Sequence, residues 1–472
     1  MATRKPHPLF EKVEIIDAGS EGKAVARVDN RVIFVPFVVP GDIVDIQVIR
    51  KKKSFYEGRA VKIHAYSEKR VEPKCEHFGI CGGCKWQNME YGQQLHYKQK
   101  QVTDNLERIG GLHLPPLEPI LASDKIYHYR NKLEYTFSNR RWFVEKPDPG
   151  NPDQESRNGL GFHLPGMFDR ILDINNCYLQ PDPSNDIRLA ARDFALQNDY
   201  EFYDVKKWDG YLRNLIIRNA STGDLMVILV FRYVDHIKGP ALMDHLLKRF
   251  PEISSMMYVI NDKRNDDISD LEVKLHHGNA FIMEEMEDLK FKIGPKSFFQ
   301  TNRDQAEKLY NATRDLAGLT GEEVVYDLYT GTGTIAAFIS RYAKKVIGIE
   351  YIAPAIEDAK ENVSLNKITN AQFFAGDILK VLNHDFVEEN GKPDVVIADP
   401  PRAGMHEKVI RQIMKIAPEK IVYVSCNPAT QARDLAVLKE TYRIEKIQPV
   451  DMFPQTHHVE NVVLLVKSLS QA

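Results

Sequence analysis

Between Val13 and about Tyr66 the apolar positions come in short runs: Val13-Glu14-Ile15-Ile16, Ala24-Val25-Ala26-Arg27-Val28, Arg31-Val32-Ile33-Phe34-Val35 and Asp42-Ile43-Val44-Asp45-Ile46-Gln47-Val48-Ile49. Runs of this length, with Gly22, Pro40-Gly41 and Gly58 at the turns, predict a small OB-like β-barrel. A helix is predicted from about Tyr91 to Ile109, where Gly110-Gly111 and then Pro115-Pro116 stop it. A second β-rich region spans about Ile126 to Leu275, with strands at Lys132–Phe137 and Asp224–Val230. The polar stretch Lys146–Asp153 inside it reads as an exposed loop.

From about Phe298 the pattern changes to apolar strands separated by helical spacing: Val324–Leu328, Lys345–Glu350, Val395–Asp399 and Ile421–Ser425. Alternation of this kind predicts a doubly wound, largely parallel α/β sheet that carries its ligands at the carboxyl ends of the strands. No repeat of fixed period interrupts the series. The predicted division is 1–66 for the barrel, 67–295 for a central domain and 296–472 for the α/β domain.

Composition narrows the class. A chain of 472 residues, 43% apolar and 27% charged, has material for roughly two to four buried cores. No segment reaches the roughly 18 consecutive apolar residues of a membrane span, and the N-terminus lacks a signal-peptide run, so a cytoplasmic protein is expected. The net charge of −3 does not announce a polyanion partner. The first 70 residues nevertheless hold fourteen Lys or Arg against nine Asp or Glu, centred on Arg50-Lys51-Lys52-Lys53-Ser54-Phe55-Tyr56. Cations interleaved with rings suit RNA, because ammonium groups meet phosphates while aromatics stack on unpaired bases. Lys51, Lys52 and Lys53 are therefore candidate substrate contacts, against the plainer reading of a solvated hairpin.

Five cysteines remain to be placed. In a reducing compartment clustered thiols serve metals or catalysis more often than disulfides. Cys75, Cys81 and Cys84 crowd around Gly82-Gly83, and Cys177 supplies a fourth thiol from a distance. Zinc and a 4Fe-4S cluster both take four thiolates, and spacing does not choose between them. The tighter CxxxCxxC pattern expected of radical enzymes is missing. Cys426 stands apart, at the tip of an apolar strand in Tyr423-Val424-Ser425-Cys426-Asn427-Pro428, where a nucleophile is the sharper reading.

The loop Asp327-Leu328-Tyr329-Thr330-Gly331-Thr332-Gly333-Thr334 follows a strand and opens a helix, and Glu350 ends the next strand. Two glycines admit a ligand close to the backbone, and a carboxylate at that strand end accepts from ribose hydroxyls. The loop alone fits S-adenosylmethionine and a nicotinamide cofactor equally.

Three later motifs separate them: Asp399-Pro400-Pro401-Arg402-Ala403-Gly404, Ser425-Cys426-Asn427-Pro428 and Asp451-Met452-Phe453-Pro454-Gln455-Thr456-His457-His458-Val459-Glu460. In this order they closely resemble the RNA 5-methyluridine methyltransferases. The resemblance reaches almost the whole chain, since the ribosomal branch carries an N-terminal TRAM-type barrel and a four-cysteine iron-sulfur site in a central domain. It implies a Rossmann-like methyltransferase domain with S-adenosylmethionine as methyl donor, and favours a 4Fe-4S cluster on Cys75, Cys81, Cys84 and Cys177 over zinc.

Uracil carbon 5 is a poor nucleophile until a thiolate adds to carbon 6, for which Cys426 is the candidate. A carboxylate such as Glu460 suits removal of the carbon 5 proton, and Asp399 can meet the uracil imide edge. Arg402 is a candidate for steadying the enolate oxygen. The resemblance further implies cofactor contacts at Gln300, Tyr329, Thr334, Glu350, Asp377 and Asp399, with Phe298 packing on a flipped base. It implies an enzyme of 23S ribosomal RNA, with transfer RNA second because that branch generally lacks the barrel and cluster regions, and a monomer is expected. A dehydrogenase and a non-catalytic iron-sulfur RNA-binding protein are the alternatives from other classes.

Overall fold

The computed structural model describes residues 7–145 and 156–468, so the predicted loop at Lys146–Asp153 lies outside the described residues. The described chain forms two compact units. The first comprises the residues up to Ile126, Pro400–Ile410 and the residues from Tyr423 onward, and the second comprises Tyr127–Asp399 and Arg411–Val422.

In the first unit five strands close into a barrel, in the order Leu9–Ala18, Ala24–Val28, Arg31–Val35, Phe55–Ala65, Ile43–Lys51. Alternate residues point inward, so Ile15, Ala24, Ala26, Ile33, Val35, Val44 and Ile46 make its core. Closure leaves no sheet edge open. The predicted helix runs over Tyr91–Arg108, where Glu90 caps its start by accepting from the Gly92 and Gln93 amides. Farther along the chain are a helix, Pro428–Leu438, and an antiparallel pair, Tyr442–Val450 with Glu460–Lys467.

The second unit holds an eight-stranded sheet in the order Val273–Gly278, Ser255–Ile260, Leu225–Phe231, Leu212–Asn219, Lys132–Ser138, Gly159–Leu164, Met167–Asp173, Arg141–Trp142. Two helices, Ser184–Gln197 and Lys238–Arg249, share its apolar core, adding α-structure to the region that the sequence pattern marked as β-rich.

The same unit holds four parallel strands in the order Ala371–Ala375, Lys345–Glu350, Val324–Leu328, Val395–Ala398. Val325, Tyr326, Val346, Ile347 and Val395–Ala398 are buried without alternation, as strands covered on both faces require. The winding direction reverses at Val324–Leu328, and the loops leaving that strand and Val395–Ala398 flank the place where such sheets bind ligands. Among the described residues no helix is long and apolar enough to cross a membrane.

Candidate active site

In the second unit the loop after Val324–Leu328 is drawn onto its neighbour strand, because the Tyr329 and Thr330 amides both donate to the Ile349 carbonyl, at 2.9 and 3.2 Å. Tyr329 (φ 65°), Gly331 (φ 55°) and Gly333 (φ 75°) all take left-handed backbone. A Cβ at Gly331 would meet nothing within 4 Å, whereas one at Gly333 would lie 2.9 Å from the Ala359 Cβ and 3.1 Å from the Phe373 ring. One glycine opens space for a ligand and the other permits close packing.

Glu350 binds the same loop. Its Oε2 accepts from the Gly331 amide at 3.2 Å and its Oε1 from Ile352 at 3.0 Å. The Gly376 amide donates to the Glu350 carbonyl at 2.8 Å. Exposed Asp377 caps the short helix Ile378–Val381 by accepting from Leu379. Thr334 is buried at the first turn of Thr334–Ser340, with its hydroxyl 3.4 Å from that of Thr332. The structure therefore gathers Tyr329, Thr334, Glu350 and Asp377 around one loop.

Two carboxyls stand at the ends of the adjacent strands. Asp327 is fully buried, accepts from the Thr330 hydroxyl at 2.5 Å, and is pushed up to about 7 chiefly by burial, with Glu350 adding to the rise. Burial, reinforced by Asp327, also pushes Asp399 up to about 7. Each carboxyl loses water, and a neighbouring carboxylate, Glu350 for Asp327 and Asp327 for Asp399, disfavours its charge further.

Thr332 donates to the Phe298 carbonyl at 3.4 Å, joining the loop to the segment that carries Phe298 and Gln300. Phe298 is 71% exposed, while Phe299 is buried against Phe291. The Gln300 carbonyl accepts from Asn131 at 3.0 Å.

In the first unit half-buried Cys426 lies just past the end of Lys420–Ser425. The next residue fixes its turn, because Asn427 Oδ1 accepts from the Ala429 amide at 3.1 Å and starts the helix. Asn427 Nδ2 and the Thr430 hydroxyl both donate to the Arg402 carbonyl, each at 3.1 Å. The Cys426 and Arg402 motifs are thus bound together.

Glu460, 5% exposed, begins the strand Glu460–Lys467. The buried Gln431 amide donates to the carbonyls of Tyr423 at 3.0 Å and Asn461 at 3.2 Å, bridging the strand before Cys426 to the one that Glu460 opens. The rings of His457 and His458 lie 4.2 Å apart, and burial drives His457 down to about 3.

Cys75, Cys81 and Cys84 are half-buried in the first unit, and Cys177 is half-buried in the second beside Asn185. None of the five cysteines is in a disulfide. Among the described residues no three His, Cys, Asp or Glu side chains are grouped to hold a metal ion.

Lys51, Lys52 and Lys53 lie at the exposed turn between two barrel strands, with Lys51 over the Tyr56 ring at 5.6 Å and Arg31 over the same ring at 5.2 Å.

Comparison with known proteins now bears on this geometry. Residues 272–468 match the family described as tRNA (Uracil-5-)-methyltransferase, and residues 11–61 match the TRAM domain. An uncharacterized RNA methyltransferase of Bacteroides thetaiotaomicron is 55% identical over 449 residues, 94% of this chain and 99% of its own. One from Porphyromonas gingivalis is 54% identical over 464 residues, 97% of this chain and all of its own. The chain belongs to the RNA 5-methyluridine methyltransferase family. A solved member of similar fold is the Pyrococcus abyssi tRNA (uracil-54, C5)-methyltransferase in complex with S-adenosyl-L-homocysteine. It has a TM-score of 0.73 and 28% identity, and the likeness covers 96% of this chain and 100% of that one.

A methyltransferase of this family depends on S-adenosylmethionine, and the glycine loop fits that ligand: it has room at Gly331 and a carboxylate at Glu350. Reading by motif did not single out Asp327, although the acidic residue four positions before Gly331 was a usable signal. It also missed Asn427, Gln431 and Asn131, whose partners are distant in sequence or are backbone atoms.

Proposed function

We propose that this methyltransferase transfers a methyl group from S-adenosylmethionine to carbon 5 of a uridine in 23S ribosomal RNA through a covalent adduct with Cys426. The observation that carries this reading is the mounting of Cys426 at a strand end, in a turn pinned through Asn427 and Thr430 to Arg402. A nucleophile needs a fixed, reachable position more than a buried one.

The Cys426 thiolate adds to carbon 6 of the uracil, and the carbon 5–carbon 6 π pair moves toward the carbonyl as an enolate. Carbon 5 takes the methyl group, and S-adenosylhomocysteine is the leaving product. Glu460 removes the carbon 5 proton, the double bond reforms and the sulfur departs from carbon 6. Asp399 meets the imide edge, Arg402 steadies the developing oxyanion, and exposed Phe298 offers a face for the flipped base. Gln300, Tyr329, Thr334, Glu350 and Asp377 serve the methyl donor.

By role the chain divides into residues 1–66 for RNA binding through Lys51, Lys52 and Lys53, 67–295 as a central domain, and 296–472 for methyl transfer. We place the protein in the cytoplasm as a monomer. A 4Fe-4S cluster on Cys75, Cys81, Cys84 and Cys177 rests on the resemblance of these cysteine segments to the ribosomal branch of the family. It predicts iron and sulfide at four each per chain in anaerobically purified protein, and is abandoned if neither accompanies active enzyme.

A transfer-RNA substrate is the second reading, favoured by the Pyrococcus abyssi enzyme. That likeness spans 96% of the chain, too much to leave the barrel outside it, so an N-terminal barrel does not argue against transfer RNA.

The deciding experiment offers labelled S-adenosylmethionine with unmodified 23S and transfer-RNA transcripts to wild type, Cys426→Ala and Glu460→Gln. Labelling of 23S transcript by wild type, none by Cys426→Ala and a trapped protein-RNA complex with Glu460→Gln support the proposal. Labelling of transfer RNA alone moves the substrate, and normal turnover by Cys426→Ala refutes the covalent route.

A further inference from the structure

The stretch from Asp451 to His458 leads directly into Glu460, yet its anchors lie on the helix Tyr91–Arg108, some 350 residues earlier in the chain. Tyr91, Gln94 and Lys98, spaced three and four apart, share one face of that helix. All three reach this stretch.

Lys98, fully buried, donates to fully buried Asp451 Oδ1 at 2.5 Å and to the Phe453 carbonyl at 3.0 Å. The Tyr91 hydroxyl donates to the other Asp451 oxygen at 2.8 Å and accepts from the Ser123 amide. Gln94 exchanges bonds with Gln455 in both directions: Nε2 donates to Gln455 Oε1 at 3.0 Å and Oε1 accepts from the Gln455 amide at 2.9 Å. The same Gln94 nitrogen donates to the carbonyls of Trp86 and Met89. The Gln455 carbonyl in turn accepts from the amides of Lys85 and Trp86, at 2.9 and 3.0 Å. The seam therefore starts at the residue after Cys84.

An isolated buried ion pair is a poor stabiliser, because the desolvation of two charges offsets their attraction, and apolar residues of similar size serve as well or better. What such a pair supplies is a fixed geometry. Here it is spent on a loop with little regular structure that must hold one carboxylate.

We infer that Gln94 and Lys98 are positioning residues for proton removal by Glu460, holding the 451–458 loop so that the carboxylate reaches carbon 5 of the adduct. The inference rests on the reading of Glu460 as base. It separates the two halves of the reaction. Addition of Cys426 depends most directly on the turn whose bonds from Asn427 and Thr430 to Arg402 involve neither Gln94 nor Lys98, whereas resolution of the adduct depends on the seam.

The test compares Gln94→Met, Lys98→Met and Glu460→Gln, using unmodified transcripts of whichever RNA the wild type methylates. We expect kcat to fall about tenfold or more in both methionine variants, since a displacement near 1 Å suffices for such a loss. The KM for S-adenosylmethionine should stay within about twofold, since those contacts lie elsewhere. The fraction of enzyme trapped as denaturation-resistant protein-RNA complex should rise above wild type in both, a signature that general loosening would not produce. Should Lys98→Met fail to fold because Asp451 has lost its ammonium partner, Gln94→Met, which removes no charge, decides.

Wild-type kcat in folded Gln94→Met, or a fall in kcat without a rise in adduct, overturns the inference. If Glu460→Gln itself accumulates no adduct, the base assignment falls instead. Adduct with Glu460→Gln but not with Gln94→Met refutes the positioning role alone.

Discussion

Arg218 donates from Nη2 to the carbonyl of Ser297 at 3.0 Å, immediately before Phe298. Its Nη1 reaches the carbonyls of Gly294 and Pro295, at 2.9 and 3.4 Å. A side chain from the middle of the eight-stranded sheet thus fastens three carbonyls of the segment leading to the exposed ring. The Ser297 hydroxyl adds a bond of 2.6 Å to Asp358, and Thr332 holds the Phe298 carbonyl. The segment is rigid at its backbone and open at its ring.

Arg218→Met should therefore cost about 2 kcal/mol of stability, the loss of charged hydrogen bonds to half-buried carbonyls. If Phe298 stacks on the flipped base, the variant should also lower kcat/KM for RNA about tenfold while leaving affinity for S-adenosylhomocysteine within a few fold. Urea denaturation and steady-state kinetics check the two parts. Unchanged kcat/KM in a destabilised variant would confine Arg218 to the fold.

Gly331 and Gly333 should answer differently to alanine. At Gly331 the cost is only left-handed strain, about 1 kcal/mol, because no atom lies near the new methyl group. At Gly333 the same strain is joined by contacts of 2.9 Å with Ala359 and 3.1 Å with Phe373, so a loss of about 2 kcal/mol or more is expected. Affinity moves the other way. Gly331→Ala should fold and lose at least about tenfold in affinity for S-adenosylhomocysteine, since its methyl enters the ligand's space. Thermal melts and calorimetric titration measure both, and wild-type binding by Gly331→Ala would contradict this placement of the ligand.

These contrasts show what was legible in the sequence. The barrel strands Ala24–Val28 and Arg31–Val35, and the parallel strands Val324–Leu328 and Lys345–Glu350, fall where apolar runs meet glycine or charge, because burial on one or both faces writes itself into local pattern. The helix at Tyr91–Arg108 was equally plain from its stop signals. Ser184–Gln197 and Lys238–Arg249 were not, because they lie among β-rich runs, although Pro183 and Pro251 mark a start and a stop. Cys426, Asp399 and Glu460 stood out as candidates because each sits in a short motif at the end of a strand. Arg218, Gln94 and Lys98 did not. Apart from the carbonyls of Trp86 and Met89 beside Gln94, their partners lie 76 to 361 positions away, and a lone polar residue in a helix or strand gives no local sign of a distant partner.

The buried carboxyls predict a pH dependence of stability. Asp327 is raised from 3.8 to about 7, so the folded state holds its proton more tightly than the unfolded chain does. Its contribution is complete below pH 3.8 and is lost as pH rises through about 7, on the order of 4 kcal/mol over the full window. Asp399, raised to about 7, slopes the same way. His457, lowered from 6.5 to about 3, slopes oppositely, its contribution being complete above pH 6.5 and lost as pH falls toward 3. Asp327→Asn keeps an acceptor for Thr330 and cannot ionise. It should raise the denaturation midpoint at pH 8 and leave it nearly unchanged at pH 4. Equal shifts at the two pH values would show that Asp327 does not titrate in this window.

The basic turn of the barrel predicts a salt effect without a catalytic one. Lys51, Lys52 and Lys53 project from the exposed turn that joins Ile43–Lys51 to Phe55–Ala65, and Lys51 and Arg31 both lie over Tyr56. A phosphate contact releases counterions, so log affinity falls with log salt by about 0.7 to 0.9 per phosphate neutralised. If all three lysines meet phosphates, changing them together to alanine should flatten that slope by about 2, while kcat at saturating RNA stays near wild type. Filter binding across a salt series measures the slope. A slope unchanged in the triple variant would make the turn a solvated hairpin, and RNA contact would then have to come from another face of the molecule.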